Sequence, residues 1–334
     1  MSSAVVVDGP GEHRLVPHEP RRPEAGEALV RVHATGICGS DREVYQGNRP
    51  EGYVRYPLTP GHEWSGTVEA VGAGVPASIV GRKVVGEGFR NCQVCDRCHA
   101  GETTLCTEGY EETGFTQPGA MAATLTLPAR LLHMLPDDAD LTAAALLEPA
   151  ACIAAAAIKA HALPGEKAAV VGTGTLGMFA VQFLKAGSPA ELLVVGTRRD
   201  REDLAVQFGA TGFRTTEQEL PDDFDVVIET AGSASAARTA ASLLRRGGRL
   251  VLTGIPAPGA AGLDPTDLVV RQLDVRTVFG ASPDAWSYTV RVFAAGLLDP
   301  LPLVTHELAL ADFSEAIELV GSGDPKVGKV LLRP

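Results

Sequence analysis

Cys92, Cys95 and Cys98 fall at a repeated three-residue step, and Cys106 follows after seven more residues. One short stretch therefore holds four of the chain's six cysteines. Four thiolates close a tetrahedral zinc site, and CxxC steps let one loop supply them without straining the backbone. Disulfides would suit a small secreted domain, whereas this chain has 334 residues and no basic-then-apolar leader. Scattered buried cysteines would not keep a fixed step. Cys92, Cys95, Cys98 and Cys106 are expected to hold a structural zinc. A site closed by four thiolates leaves no open coordination position, so the chemistry must lie elsewhere.

The length allows two domains with sizeable cores. Apolar content of 45% and charged content of 21% are ordinary for a globular protein. A net charge of −12 argues against a nucleic-acid or anionic-membrane partner. No apolar run reaches the length of a membrane span. Thiols gathered for a metal fit a reducing cytoplasm, which is the expected location.

The pattern along the chain changes near residue 150. Before it, short β-branched runs (Ala28–His33, Gly66–Val71, Arg82–Val85, Ala122–Leu127) alternate with turns rich in Gly and Pro. Ala150–Ala162 then predicts a helix, ended by Leu163-Pro164-Gly165. Lys167–Val171, Glu191–Val195, Asp225–Glu229, Arg249–Thr253 and Asp274–Val278 read as buried strands. Leu176–Ala186 and Arg201–Gly209 read as helices between them. Such alternation predicts an α/β fold with a doubly wound parallel sheet. Past Pro283, only a helix at Leu310–Gly321 and a strand at Lys329–Leu332 stand out.

Gly172-Thr173-Gly174-Thr175-Leu176-Gly177 matches GxGxxG. It follows an apolar strand and opens a helix, the context that makes the motif a dinucleotide turn. Gly172 permits the tight turn, Gly174 the approach of a pyrophosphate, and Gly177 close helix–strand packing. The next strand ends Val195-Gly196-Thr197-Arg198-Arg199, without the acid an NAD site uses for the ribose. Gly196 would leave room for a 2′-phosphate, Thr197 would donate to it, and Arg198 or Arg199 would pair with it. NADP is therefore expected in preference to NAD.

A second cluster contains Cys38-Gly39-Ser40-Asp41 and Gly61-His62-Glu63. A soft thiolate, an imidazole and a carboxylate suit a catalytic zinc with one exchangeable position. With the four-cysteine loop, Leu147-Glu148-Pro149, the glycine turn and the closing Gly328-Lys329-Val330, these motifs resemble the zinc-dependent medium-chain alcohol and polyol dehydrogenases. The resemblance covers nearly the whole chain. It implies a mostly-β GroES-like catalytic domain from residues 1–149 and 284–334, with a Rossmann domain at 150–283. Cys38, His62 and Glu63 would be ligands of a catalytic zinc, giving two zincs per chain. Glu148 would sit at that metal, directly or through water. Ser40 would take the substrate proton, and Asp41 would orient His62. Many relatives carry a histidine where this chain has Glu43, so the outer end of the proton path stays open.

Ser40, Glu43, Glu63 and Glu148 suit a polyol, sugar or aminocyclitol better than an alkyl alcohol. The stretches around Tyr45, Tyr56-Pro57 and His62–Val68, and Glu112–Thr116, resemble the sorbitol-, threonine- and 2-deoxy-scyllo-inosamine-type branch. The expected reaction moves a hydride between NADP(H) and a secondary alcohol or ketone. The alternatives are a simple or threonine-type alcohol with NAD, a non-catalytic dinucleotide binder, and a zinc-independent enone or quinone reductase. The resemblance also implies a homodimer or homotetramer.

Overall fold

The computed structural model describes residues 2–256, 259 and 262–334. The chain forms two compact units, Met1–Glu148 with Ser282–Ala294 and Pro300–Pro334, and Pro149–Ala281 with Ala295–Asp299.

The first unit is built on a seven-stranded sheet. Its long strand Glu27–Ile37 buries Ala28, Val30, Val32 and Ala34 at a two-residue period, the mark of a strand with one face on the core. Those side chains pack with Trp64, Val68, Val84, Leu125 and Leu127. The strand pairs antiparallel with Glu63–Val71, setting Gly36 opposite Glu63. It also pairs antiparallel with the terminal strand Lys329–Arg333, setting Ile37 opposite Val330. Three strands thus bring residues 38, 63 and 329 to one end of the sheet. The tail is part of this unit through its strand and through the helix Phe313–Gly321, which buries Phe313, Ala316 and Ile317 against Val5, Ile37 and Val330. The first turn expected of that helix, Leu310–Asp312, is a separate 3-10 turn.

The second unit holds a six-stranded, all-parallel sheet. In space the strands run Gly212–Thr215, Glu191–Gly196, Lys167–Val171, Phe224–Glu229, Leu244–Leu252, Asp274–Thr277. Numbered along the chain, this is the order 3-2-1-4-5-6 of a Rossmann sheet, with its switch point between Lys167–Val171 and Phe224–Glu229. The central strands are buried almost continuously, as a sheet covered on both faces requires. The helix Leu147–Ala160 begins three residues earlier than its Ala-rich pattern suggests. Pro149 fits there because a first-turn residue needs no N–H partner. Among the described residues, no helix is long and apolar enough to cross a membrane.

Candidate active site and cofactor turn

Cys38 follows the long strand and caps the helix Gly39–Gln46. Its Sγ accepts from the Ser40 amide at 3.2 Å, and its own amide donates to Asp41 Oδ2 at 3.0 Å. That reciprocal cap fixes the direction of both side chains. His62 then completes the group. Its Nε2 lies 3.2 Å from Cys38 Sγ, and its Nδ1 lies 3.6 Å from Asp41 Oδ1. The Nδ1 distance exceeds a hydrogen bond, and both atoms are buried without a partner. Nε2 therefore faces the thiol, and Asp41 stands behind the other ring nitrogen.

Glu63 and Glu148 also approach His62, with candidate ligand atoms of the three within 4.8 Å of one another. Cys38, Asp41 and His62 satisfy the same test. The predicted residues are thus brought together around His62 in two overlapping triplets. Burial works against a protonated His62, but Cys38 and Asp41 outweigh it and raise its pKa well above the ordinary value. Groups that would bind a proton so firmly would also bind a cation. The thiol–imidazole–carboxylate donor set fits a zinc ion. Ser40 is half-buried on the first helical turn, and its Oγ makes no hydrogen bond to a described group.

Glu63 has a partner that sequence reasoning did not assign. Lys329 Nζ lies 2.5 Å from its carboxylate, and both residues are buried. Gly36 makes the arrangement possible, because a Cβ there would collide with the Glu63 carboxylate. The available signal was a lysine opening the apolar run Val330-Leu331-Leu332. Glu43 is exposed, 3.8 Å from the Arg49 guanidinium.

Glu112 is the other group the sequence did not single out as a site residue. It is 5% exposed, and burial pushes its carboxyl up to about 8, with Glu148 adding to the rise and His62 and Arg49 opposing it. Its folded-state value lies above its unfolded one, so between pH 4.5 and about 8 only the folded chain holds this proton. Its contribution to stability is full below the unfolded value and is lost as pH rises through the folded one. Glu112→Gln should therefore show a smaller fall in melting temperature between pH 5 and pH 8.5 than the unsubstituted chain. An identical pH profile for the two proteins would contradict the assignment.

In the cysteine loop, all four sulfurs lie within 4.8 Å of one another. Cys92 and Cys98 are 3.8 Å apart, and all four are free thiols. Sulfurs held about 2.3 Å from one zinc in a tetrahedron lie about 3.8 Å apart, whereas a disulfide needs about 2.05 Å. Amides of Val94, Cys95 and Cys98 point at Cys92 and Cys95 sulfurs. Burial pushes the Cys98 thiol up to about 12. A dication is what would let all four ionise together. The loop fits zinc.

In the second unit, Gly172 has φ +119° and lies under Thr230 and Ala231, where any Cβ would collide. Gly177 is pressed on the Gly172 carbonyl, and Gly174 faces open space. The helix Thr175–Ala186 starts at Gly174 with no side-chain cap, which leaves its first amides for a ligand. A pyrophosphate fits that end, flanked by Thr173, Thr175 and Leu176. A Cβ at Gly196 would lie 2.6 Å from Thr173 Cγ2, so its missing side chain admits Thr173. Thr197 is exposed, Arg198 pairs with Asp200 at 3.0 Å, and Arg199 pairs with Glu202 at 2.5 Å. Exposed pairs of this kind are worth about 0–1 kcal/mol and exchange readily for a phosphate.

Fold and site together define a two-domain zinc- and nicotinamide-dependent dehydrogenase. Residues 24–137 match the alcohol dehydrogenase GroES-like domain, and residues 175–295 match the zinc-binding dehydrogenase domain. The chain belongs to the zinc-dependent medium-chain alcohol dehydrogenase family, oxidoreductases acting on CH–OH donors. It is 30% identical to an L-threonine 3-dehydrogenase of Idiomarina loihiensis, over 93% of this chain and 94% of that one. It is 32% identical to a thermostable alcohol dehydrogenase of Pyrobaculum aerophilum, with a TM-score of 0.88 over 100% of this chain and 99% of that one. A zinc-binding dehydrogenase of Sinorhizobium meliloti, solved with NADP, superposes with a TM-score of 0.93 at 25% identity, over 100% of this chain and 99% of that one.

Proposed function

We propose that the protein transfers a hydride between NADP(H) and a secondary alcohol or ketone on a polyol, sugar or aminocyclitol. The observation that carries this reading is the convergence of Cys38, Asp41, His62, Glu63 and Glu148. Zinc held there supplies Lewis-acid activation of the substrate oxygen, and the nicotinamide supplies the hydride acceptor. Cys38 and His62 Nε2 would hold the metal, Glu63 and Glu148 would complete or adjust its shell, and Asp41 would fix the imidazole. Ser40 receives the substrate hydroxyl proton. A second zinc at Cys92, Cys95, Cys98 and Cys106 braces the lobe. The carboxylates and hydroxyl around His62 favour a substrate rich in donors.

A second reading has specific support. The threonine dehydrogenase likeness spans nearly the whole chain, so an amino alcohol oxidised with NAD is the competing assignment. One screen separates them. Polyols, cyclitols, L-threonine and simple secondary alcohols are offered with NAD and with NADP, and reduced nicotinamide absorbance is followed. The first reading expects the highest kcat/KM with a polyol or aminocyclitol and NADP. Fastest turnover of L-threonine with NAD selects the second.

NADP rests on Thr197, Arg198, Arg199 and the missing strand-end acid. Replacing both arginines with alanine should lower kcat/KM for NADP relative to NAD by about 10- to 100-fold, the worth of one charge-assisted contact or more. Equal use of both cofactors by the unsubstituted protein would sink the preference. A homodimer or homotetramer is supported by the edge strand Asp274–Thr277, near which Val269, Val270 and Phe279 are exposed. Light scattering that gives a monomer mass would remove it.

A further inference from the structure

We propose that Glu112, fixed by Tyr110 and Arg49, is the specificity residue that receives a second hydroxyl or an ammonium of the substrate, beside the carbinol that reacts. The proposal rests on the polar-alcohol reading above.

The loop that carries Glu112 is packed directly on the metal-bearing segment. A Cβ at Gly114 would lie 2.8 Å from the Gly61 carbonyl carbon and 3.0 Å from the His62 amide. The Ala120 amide donates to Gly61 O at 2.8 Å, and the Phe115 ring lies 4.6 Å from the His62 ring. Glu112 is close enough for its charge to interact with those of His62 and Glu148. A carboxyl group in this position, able to accept a hydrogen bond at one oxygen, sees whatever binds beside them.

Its own partners leave it half-satisfied. Tyr110 donates its hydroxyl to Oε2. The nearest cation, Arg49 Nη2, is 3.9 Å from Oε2, too far for a hydrogen bond. Arg49 is committed elsewhere, donating to Tyr110 Oη at 2.9 Å and to the Tyr53 carbonyl at 3.0 Å. Its guanidinium also lies 3.8 Å over the Phe115 ring. Arg49 therefore fixes Tyr110, and Tyr110 fixes Glu112. Oε1 accepts no hydrogen bond from a described group, and Gly88 packs on the Glu112 side chain, where a Cβ would lie 3.0 Å from Oε1.

Oε1 is not among the atoms sealed from solvent without a partner, so it stays open to a donor from outside the protein. A preorganised acid with one unused oxygen is the form of a recognition group. It would favour O–H or N–H donors and reject a methylene at the same place. Sites built to hydrogen-bond a substrate group discriminate strongly, because the analogue without it leaves the protein partner unpaired.

The test compares kcat/KM for myo-inositol, L-threonine and cyclohexanol in the unsubstituted protein, Glu112→Leu and Glu112→Gln, with zinc content measured for each. The unsubstituted protein is expected to prefer one of the two polar alcohols. Glu112→Leu should lower the ratio of that alcohol to cyclohexanol by about 100-fold or more, with Glu112→Gln intermediate. An unchanged ratio, including equal losses on both substrates, overturns the proposal while leaving the polar-alcohol reading intact. A preference for cyclohexanol in the unsubstituted protein overturns both. If Glu112→Leu does not fold, the isosteric Glu112→Gln decides: a ratio lowered at least tenfold supports the role, and an unchanged one ends it.

Discussion

Cys38→Ser should lower turnover by about a thousandfold or more, because zinc activation moves a bound hydroxyl's pKa from about 16 to about 7 and a hydroxyl oxygen holds zinc far less well than a thiolate. Dinucleotide affinity should stay close to that of the unsubstituted protein. The glycine turn Gly172–Gly177 belongs to the other compact unit and shares no ligand with Cys38. Initial rates from reduced-nicotinamide absorbance, paired with a dinucleotide Kd from fluorescence titration, check both halves. Near-normal turnover would remove the metal assignment. Loss of dinucleotide binding along with turnover would mean that the substitution had unfolded the chain.

The second large effect is on stability. Lys329 and Glu63 form an ion pair with both partners buried. Such a pair is worth little compared with apolar residues, but removing one member strands the other charge at a cost of about 3–5 kcal/mol. Lys329→Met should lower the unfolding free energy by that amount in denaturant titration. The double variant Lys329→Met, Glu63→Gln should recover most of the loss, since no buried carboxylate is then left alone. A loss under about 1 kcal/mol, or additive losses in the double variant, would mean that Lys329 is not the group compensating Glu63. The pair also bears on the metal. A carboxylate shared between a lysine and a cation is a less committed ligand than Cys38 or His62, which places Glu63 differently from the plain ligand that its sequence neighbours suggested.

What could be read beforehand follows the range of the interactions. The four-cysteine loop, the glycine turn and His62-Glu63 are local patterns, where a few residues carry the chemistry by spacing alone. The central strands of the parallel sheet are legible because burial on both faces forces unbroken apolar runs, whereas the short edge strand Gly212–Thr215, with one buried residue, is not. The helices Gly39–Gln46, Pro265–Arg271 and Pro283–Ala294 were not. The first carries a buried aspartate and little apolar face, and the metal-side cap at Cys38 specifies it instead. The two site residues that were missed depend on distant parts of the chain. Lys329 meets Glu63 across 266 positions because two strands flank the same central one. Glu112 reaches the His62 region through backbone packing at Gly61 and Gly114, which no periodicity encodes. The packing of Thr173 on Gly196 is likewise set only by the folded chain.

The central claim is that two metal centres divide the labour, the four-cysteine loop bracing the lobe and the Cys38–His62 group working on substrate. Zinc per chain, measured by atomic emission on purified Cys38→Ser, tests it most directly. The account predicts two zincs in the unsubstituted protein and one in the variant, retained on Cys92, Cys95, Cys98 and Cys106, with turnover lost. Two zincs in the variant, or one in the unsubstituted protein, would contradict it.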